Sequence, residues 1–327
     1  MPMPMPMPMP VRADRRPARA RRATLVVAGL AGLAVVLATG FALSPSDLGA
    51  TMTLPKAIVL GLVEGLTEYL PISSTGHLLV VERLMDIGTT QADKAAADTF
   101  TIAVQVGAIV AVLGIYRHRV VLMAEGMLGR SEAGRNVLLA LVIAFIPAGV
   151  TAILFGDEIK DRLLSPWPVV WSWAVGGVLI LVFVKYQDRW TTVRTTSVGD
   201  ITARQALIIG VAQVLAMWPG TSRSLVTLLA GLLLGLSLAT AVEFAFLLGF
   251  VTLGIATGYE LVTGGSELFD TFGVVNPLIG TIVAGFAAFA SVKWMIGYLE
   301  HHRLSVFGWY RLGIAALTAA LLLGGVI

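Results

Sequence analysis

Cysteine is absent from the chain's 327 residues, which excludes disulfides and thiol chemistry and leaves the redox compartment unmarked. Charge is nearly as scarce: 13% of residues are Asp, Glu, Lys or Arg, against 57% hydrophobic. A soluble domain of this length needs far more charge to cover its surface, so that class is excluded. The alternating apolar pattern of membrane β-strands is missing too. The net charge of +3 is too small to mark a nucleic-acid partner, and none is expected. Basic residues beside membrane spans report orientation instead.

What the sequence does have is apolar runs long enough to cross a bilayer. The expected fold class is an all-α polytopic membrane protein, with the lipid bilayer as its surroundings. Full-length spans are expected near 99–116, 136–155, 168–184, 239–262, 276–297 and 308–326. Ahead of them, residues 1–22 hold a Met-Pro repeat and then VRADRRPARARR, with six Arg and one Asp, and are expected to be disordered. The apolar run at 23–44 is long for a signal peptide and is followed by no clear small-x-small cleavage site. It is expected to be an uncleaved anchor helix with a cytoplasmic N-terminus.

Two other apolar stretches, 54–86 and 204–236, are interrupted centrally by LPISSTGH (70–77) and WPGTSRS (218–224). Each half is too short to cross comfortably. Pro71 and Pro219 cannot continue a helical hydrogen-bond ladder, and Gly76 and Gly220 permit sharp turns. The expectation is a re-entrant helix–loop–helix, which survives in a membrane only inside protein or beside a watery cavity. The charges agree. Arg117, His118, Arg119, Arg130 and Arg135 fall inside, as do Lys185, Arg189, Arg194 and Arg204, and then Lys293, Arg303 and Arg311; the acidic loops around Asp93 and Glu267 fall outside.

A repeat follows. Residues 54–184 and 204–326 each read as a re-entrant hairpin plus three spans. Gly61-x-x-Glu64 with Pro71-x-Ser73-Ser74 aligns loosely with Gly210-x-x-Gln213 and Pro219-x-Thr221-Ser222. Three spans is an odd number, so the second copy must be inverted. Inverted repeats place broken helices tip to tip near the midplane, where substrate sites are built.

Glu64 and Glu68 lie four apart, on one helical face. Carboxylates within a membrane are costly and mark function by default. Two at this spacing suit a divalent cation, Mg2+ or Ca2+, with a phosphate completing its shell; they could equally share one proton. Ser73, Ser74 and Thr75 open a returning helix, either as ordinary caps or as partners of phosphate oxygens at the helix N-terminus. His77, three residues from Ser74, could act as a base on that serine or as an acid on a leaving phosphate. In the second break Gly220, Thr221, Ser222 and Ser224 surround Arg223. An arginine that deep requires an anion: Glu64, Glu68 or a ligand phosphate, which its planar fork suits.

The segment GLVEGLTEYLPISSTGHLLV (61–80) resembles the signature of the bacterial undecaprenyl-diphosphatase family, the BacA-type bacitracin-resistance proteins, and AQVLAMWPGTSRS (212–224) resembles its second signature. The resemblance spans about 54–326. It implies a divalent-metal-dependent hydrolysis of undecaprenyl diphosphate, a polyprenyl diphosphate lipid, to the monophosphate. By the same resemblance, the reaction is expected on the outer side of the bacterial plasma membrane, where it would recycle the peptidoglycan carrier. It also implies that Glu64 and Glu68 are the acidic pair, Ser74 and His77 catalytic candidates, and Ser222 and Arg223 phosphate binders. Ser73, Thr75, Gly76, Gly220, Thr221 and Ser224 are expected around the substrate, with Glu64 and Glu68 as the protein ligands of the cation. A homodimer is admitted as an assembly. The chain departs from the family pattern at Leu225, Leu238, Ala245 and Val251.

Two other classes compete. A carrier could flip a lipid phosphate uncleaved, since inverted repeats with broken helices suit secondary transport; Ser74 with His77 favours hydrolysis. The paired-histidine lipid phosphatases need a histidine six residues after the arginine, where Leu229 stands. Two mechanisms stay open: attack by Ser74, giving a phosphoserine, or attack by a water activated at the cation.

Overall fold

Pro55 opens helix α1 (Leu54–Thr67) in the first turn, where its missing N–H is no loss. The helix gives way before Pro71, and α2 (Ser74–Leu84) follows the break. Then come α3 (Gln91–Ile115), α4 (Arg117–Met127), α5 (Glu132–Leu163) and α6 (Pro166–Trp190). A second broken pair, α7 (Ala203–Val214) and α8 (Arg223–Leu233), leads into α9 (Leu238–Phe272), α10 (Val275–Leu299) and α11 (Ser305–Leu323). This computed structural model describes residues 52–87, 91–272 and 274–327, so the extension at 1–22 and the anchor expected at 23–44 lie outside the described residues.

Among the described residues there is no β-strand, only one isolated bridge between Thr195 and Leu236. Among the described residues, five helices are long and apolar enough to cross a membrane: α5, α6, the Leu238–Glu260 part of α9, α10 and α11. The chain is thus an all-helical, multi-pass membrane protein. Their outward faces carry apolar side chains such as Ile153, Trp171 and Phe286, which lipid would cover.

The span expected at 99–116 falls on the apolar part of α3, which ends at Ile115. That segment passes as a span only together with α4, and the two are bent by 83°. The basic residues 117–119, read as a loop, begin α4 instead, which packs along α5 through Gly126 and Gly134. Arg119 Nε donates to Glu243 at 2.6 Å and ties α4 to α9.

Small residues set the helix packing. A Cβ on Gly61 or Gly65 would fall 2.4 or 2.3 Å from backbone oxygens of Gly280 and Ala284 on α10. A Cβ on Gly210 of α7 would fall 2.3 Å from the Ala144 oxygen of α5. Such close approach is how helices gain contact where lipid removes the hydrophobic driving force. Helix α3 packs on α9 and on α10, and α6 packs on α11.

Candidate active site

Both breaks are built the same way. Ser73 precedes α2 with φ 73° and ψ 109°, and Ser222 precedes α8 with φ 73° and ψ 112°. Left-handed backbone is uncommon for a residue with a side chain and is held only where surroundings over-determine it. The offset that carries Ser73 onto Ser222 also carries Gly61 onto Gly210 and Glu64 onto Gln213. The alignment of Pro71-x-Ser73-Ser74 with Pro219-x-Thr221-Ser222 is therefore one residue out of register: Ser74 corresponds to Arg223, and Pro71 to Gly220.

These two corresponding residues meet at one carboxylate. Ser74 Oγ donates to Glu68 Oε2, and Arg223 Nη2 donates to Glu68 Oε1. Glu68 and Arg223 are thus ion-paired across the two halves, with side chains 7% and 19% exposed. Glu64 lies fully buried one turn earlier, and neither of its oxygens has a hydrogen-bond partner. Tyr69 Oη is buried and without a partner as well.

His77 is not on Ser74. Its Nδ1 is 2.5 Å from the Ser73 carbonyl oxygen and its Nε2 is 2.8 Å from the Tyr310 hydroxyl. The ring also packs against Trp173, centroids 4.9 Å apart. Both nitrogens are occupied, so the Ser74–His77 pairing read from their spacing is replaced by Ser74–Glu68. The reason is helical geometry: α2 begins at Ser74 and carries the histidine a turn onward, toward α6 and α11.

The other anticipated residues divide. Ser222 and Ser224 hydroxyls are 2.9 Å apart and reach the Leu70 carbonyl at 3.4 and 2.9 Å, stitching the second break to the first. Ser222 also caps α8, accepting from the Leu225 amide at 3.3 Å. Thr75 is exposed and Thr221 partly so. Gly76 and Gly220 serve packing: a Cβ there would lie 2.6 Å from the Trp173 ring and 1.9 Å from Ser172 Oγ, and Gly220 has φ 91°. Leu225 and Ala245 lie in the apolar core behind the site, with Leu238 and Val251 packed against it.

Two carboxylates one turn apart at the end of α1, a serine held by one of them and an arginine from the opposite break thus come together in one buried cluster. The model of one family, described as bacitracin resistance protein BacA, matches residues 57–317. The chain belongs to the BacA family.

Curated relatives of this BacA-family chain agree. It is similar to the undecaprenyl-diphosphatase of Sorangium cellulosum, 40% identical over 262 residues that cover 80% of this chain and 84% of the relative. A protein of the same name from Methylococcus capsulatus is 42% identical over 271 residues, covering 81% and 94%. That of Nitrosomonas europaea is 41% identical over 272 residues, covering 82% and 95%.

Sequence reasoning missed four residues. Arg311, assigned above to an inner loop, is instead fully buried within α11. Its Nη2 donates to the Ser172 and Gly220 carbonyls at 2.8 and 2.9 Å, and its Nη1 and Nε reach Pro71 and Trp173 carbonyls at 3.4 Å. Tyr310 beside it meets His77. Trp173 Nε1 donates to the Ile72 carbonyl at 2.8 Å, and Ser172 Oγ to that of Pro219 at 2.9 Å. A signal for Arg311 was present: a cation inside an apolar segment, the same criterion that picked out Arg223. Ser172 and Trp173 carry none, because their partners are backbone carbonyls.

Proposed function

We propose that this chain hydrolyses undecaprenyl diphosphate to undecaprenyl phosphate and inorganic phosphate, returning the lipid carrier to peptidoglycan synthesis and conferring the bacitracin resistance of its family. The relatives carry that enzyme's name. The observation that carries the site reading is the shared carboxylate: Glu68 accepts from Ser74 and from Arg223 together.

That arrangement suits nucleophilic catalysis. Glu68 takes the Ser74 proton while Ser74 Oγ forms a bond to the terminal phosphorus. The bond from that phosphorus to the bridging oxygen breaks, and the lipid monophosphate leaves with the proton returned by Glu68. Water, deprotonated by Glu68, then bonds to the phosphoserine phosphorus as the bond to Ser74 Oγ breaks; Glu68 returns the proton to Oγ and inorganic phosphate leaves. Arg223 offers its remaining N–H groups to the phosphoryl oxygens, where negative charge concentrates. His77, engaged by the Ser73 carbonyl and Tyr310, holds the strained cap that aims Ser74.

Glu64's two buried, unpartnered oxygens fit a divalent cation of the Mg2+ or Ca2+ type, with Glu64 and Glu68 as its protein ligands. When bound, such a cation neutralises diphosphate charge. No group of three or more His, Cys, Asp or Glu is clustered among the described residues, so substrate oxygens and water would complete the shell, as is usual for Mg2+.

The broken pairs α1–α2 and α7–α8 are read as re-entrant hairpins of an inverted repeat. The packing supports this: α1 on α10 is matched by α7 on α5, and α3 on α10 by α9 on α5, while α3–α9 and α6–α11 pair with their own counterparts. By the distribution of basic residues, the site opens to the outer side of the plasma membrane.

The test is phosphate release from C55 diphosphate by purified protein, with and without EDTA. Release that the chelator abolishes is expected. Absence of release, with transfer of intact lipid between leaflets of vesicles, would establish a carrier instead.

A further inference from the structure

The two breaks expose backbone that no helix satisfies, and their carbonyls find side chains instead. Pro71 is bonded by Arg311, Ile72 by Trp173, Ser73 by His77, Pro219 by Ser172 and Gly220 by Arg311. Of these donors, Arg311 alone bonds both breaks. It comes from outside both hairpins, from α11, and reaches the corresponding positions Pro71 and Gly220.

A fully buried guanidinium ordinarily requires an anionic partner. Among the described residues no carboxylate pairs with Arg311; its partners are four backbone carbonyls, on Pro71, Ser172, Trp173 and Gly220. Carbonyl dipoles solvate a charge only from fixed directions, so this cation holds those backbones to one geometry. Gly176 of α6 makes the room: a Cβ there would fall 2.3 Å from Nη2 of Arg311. A lysine could not reproduce the contact, because its single ammonium lacks a planar fork spanning two breaks.

Resting on the site proposed above, we infer that Arg311 is a positioning residue for the hydrolysis. It fixes the spacing of the two breaks so that Ser74 and Arg223, each the first residue of its returning helix, arrive together at Glu68. It touches neither substrate nor cation. Its contribution is to kcat, because ångström-scale misplacement of reacting groups slows chemistry while leaving lipid binding largely intact.

The experiment is a double-mutant cycle on the purified full chain, reading phosphate release from C55 diphosphate, with size exclusion and thermal unfolding in detergent as controls. Arg311→Lys is expected to fold and to lower kcat by about 10²-fold at near-constant KM. In an Arg223→Lys background the same change should cost little more, because the pair it aligns is already broken. Gly176→Ala, which crowds the guanidinium from outside the site, should show the same split. Full kcat in Arg311→Lys alongside an impaired Arg223→Lys would overturn the positioning role and leave the site standing. Full kcat in Arg223→Lys would overturn the site itself. Equal, additive losses in both backgrounds, or failure of both Arg311→Lys and Gly176→Ala to fold, would make Arg311 a determinant of stability only and would also overturn the inference.

Discussion

Ser73 and Ser222 hold one backbone conformation, φ 73° with ψ near 110°, at matching positions in the two halves of the chain. Neither is glycine, and such geometry costs a serine of the order of 1–3 kcal/mol. Ser73→Gly should therefore raise the thermal midpoint in detergent, while Ser73→Val, β-branched at a left-handed position, should lower it. Thermal unfolding of the purified variants checks the sign of both.

Glu68 joins the halves through an ion pair with little exposure. Removing one partner of such a pair leaves the other charge uncompensated, at a cost of about 3–5 kcal/mol before discounting for the arginine's partial exposure. Glu68→Ala should be inactive and less stable. Adding Arg223→Ala should recover stability without recovering activity, which unfolding and phosphate release measured together would reveal.

Ser74 has Glu68, not His77, at its hydroxyl. Ser74→Ala should abolish turnover, whereas His77→Gln should leave a measurable fraction of it. A rapid-quench experiment with labelled substrate should trap phosphoserine in the active enzyme; turnover without it would point to direct attack by water.

The close approach of α1 to α10 leaves no room for a side chain at Gly65. Gly65→Val should destabilise by about 1–3 kcal/mol or prevent folding, since overpacking forces the backbone apart. Gly114, with nothing near its would-be Cβ, is the matched control, and Gly114→Ala should behave as the unmodified chain.

How far the sequence told this in advance depends on what each feature uses to announce itself. The spans announced themselves through hydropathy: α5, α6, α9 and α10 stand where they were expected with longer ends, and α11 is displaced by three residues toward the N-terminus. The breaks were legible because Pro71 and Pro219 cannot continue a helical hydrogen-bond ladder and Gly220 permits a sharp turn. Glu68 and Arg223 were legible as intramembrane charges in search of partners, and their pairing was among the alternatives weighed. Helix α4 was not, because its basic start reads like a loop and its packing rests on two glycines. The one-residue register error arose because the prolines, conspicuous in sequence, are not the corresponding positions; the strained serines are. Arg311 was misplaced because a cation near the end of an apolar run reads as an interface anchor, and only tertiary structure shows four carbonyls around it.

The central claim is that two halves of the chain build one site, with Arg223 from the second acting on a phosphate brought to Glu68 and Ser74 of the first. The most direct measurement is the rate of phosphate release from C55 diphosphate by purified Arg223→Ala beside the unmodified chain, both confirmed folded. A fall of about 10²–10³-fold is expected from loss of one preorganised cation at the reacting phosphate. An unchanged rate would contradict the shared site.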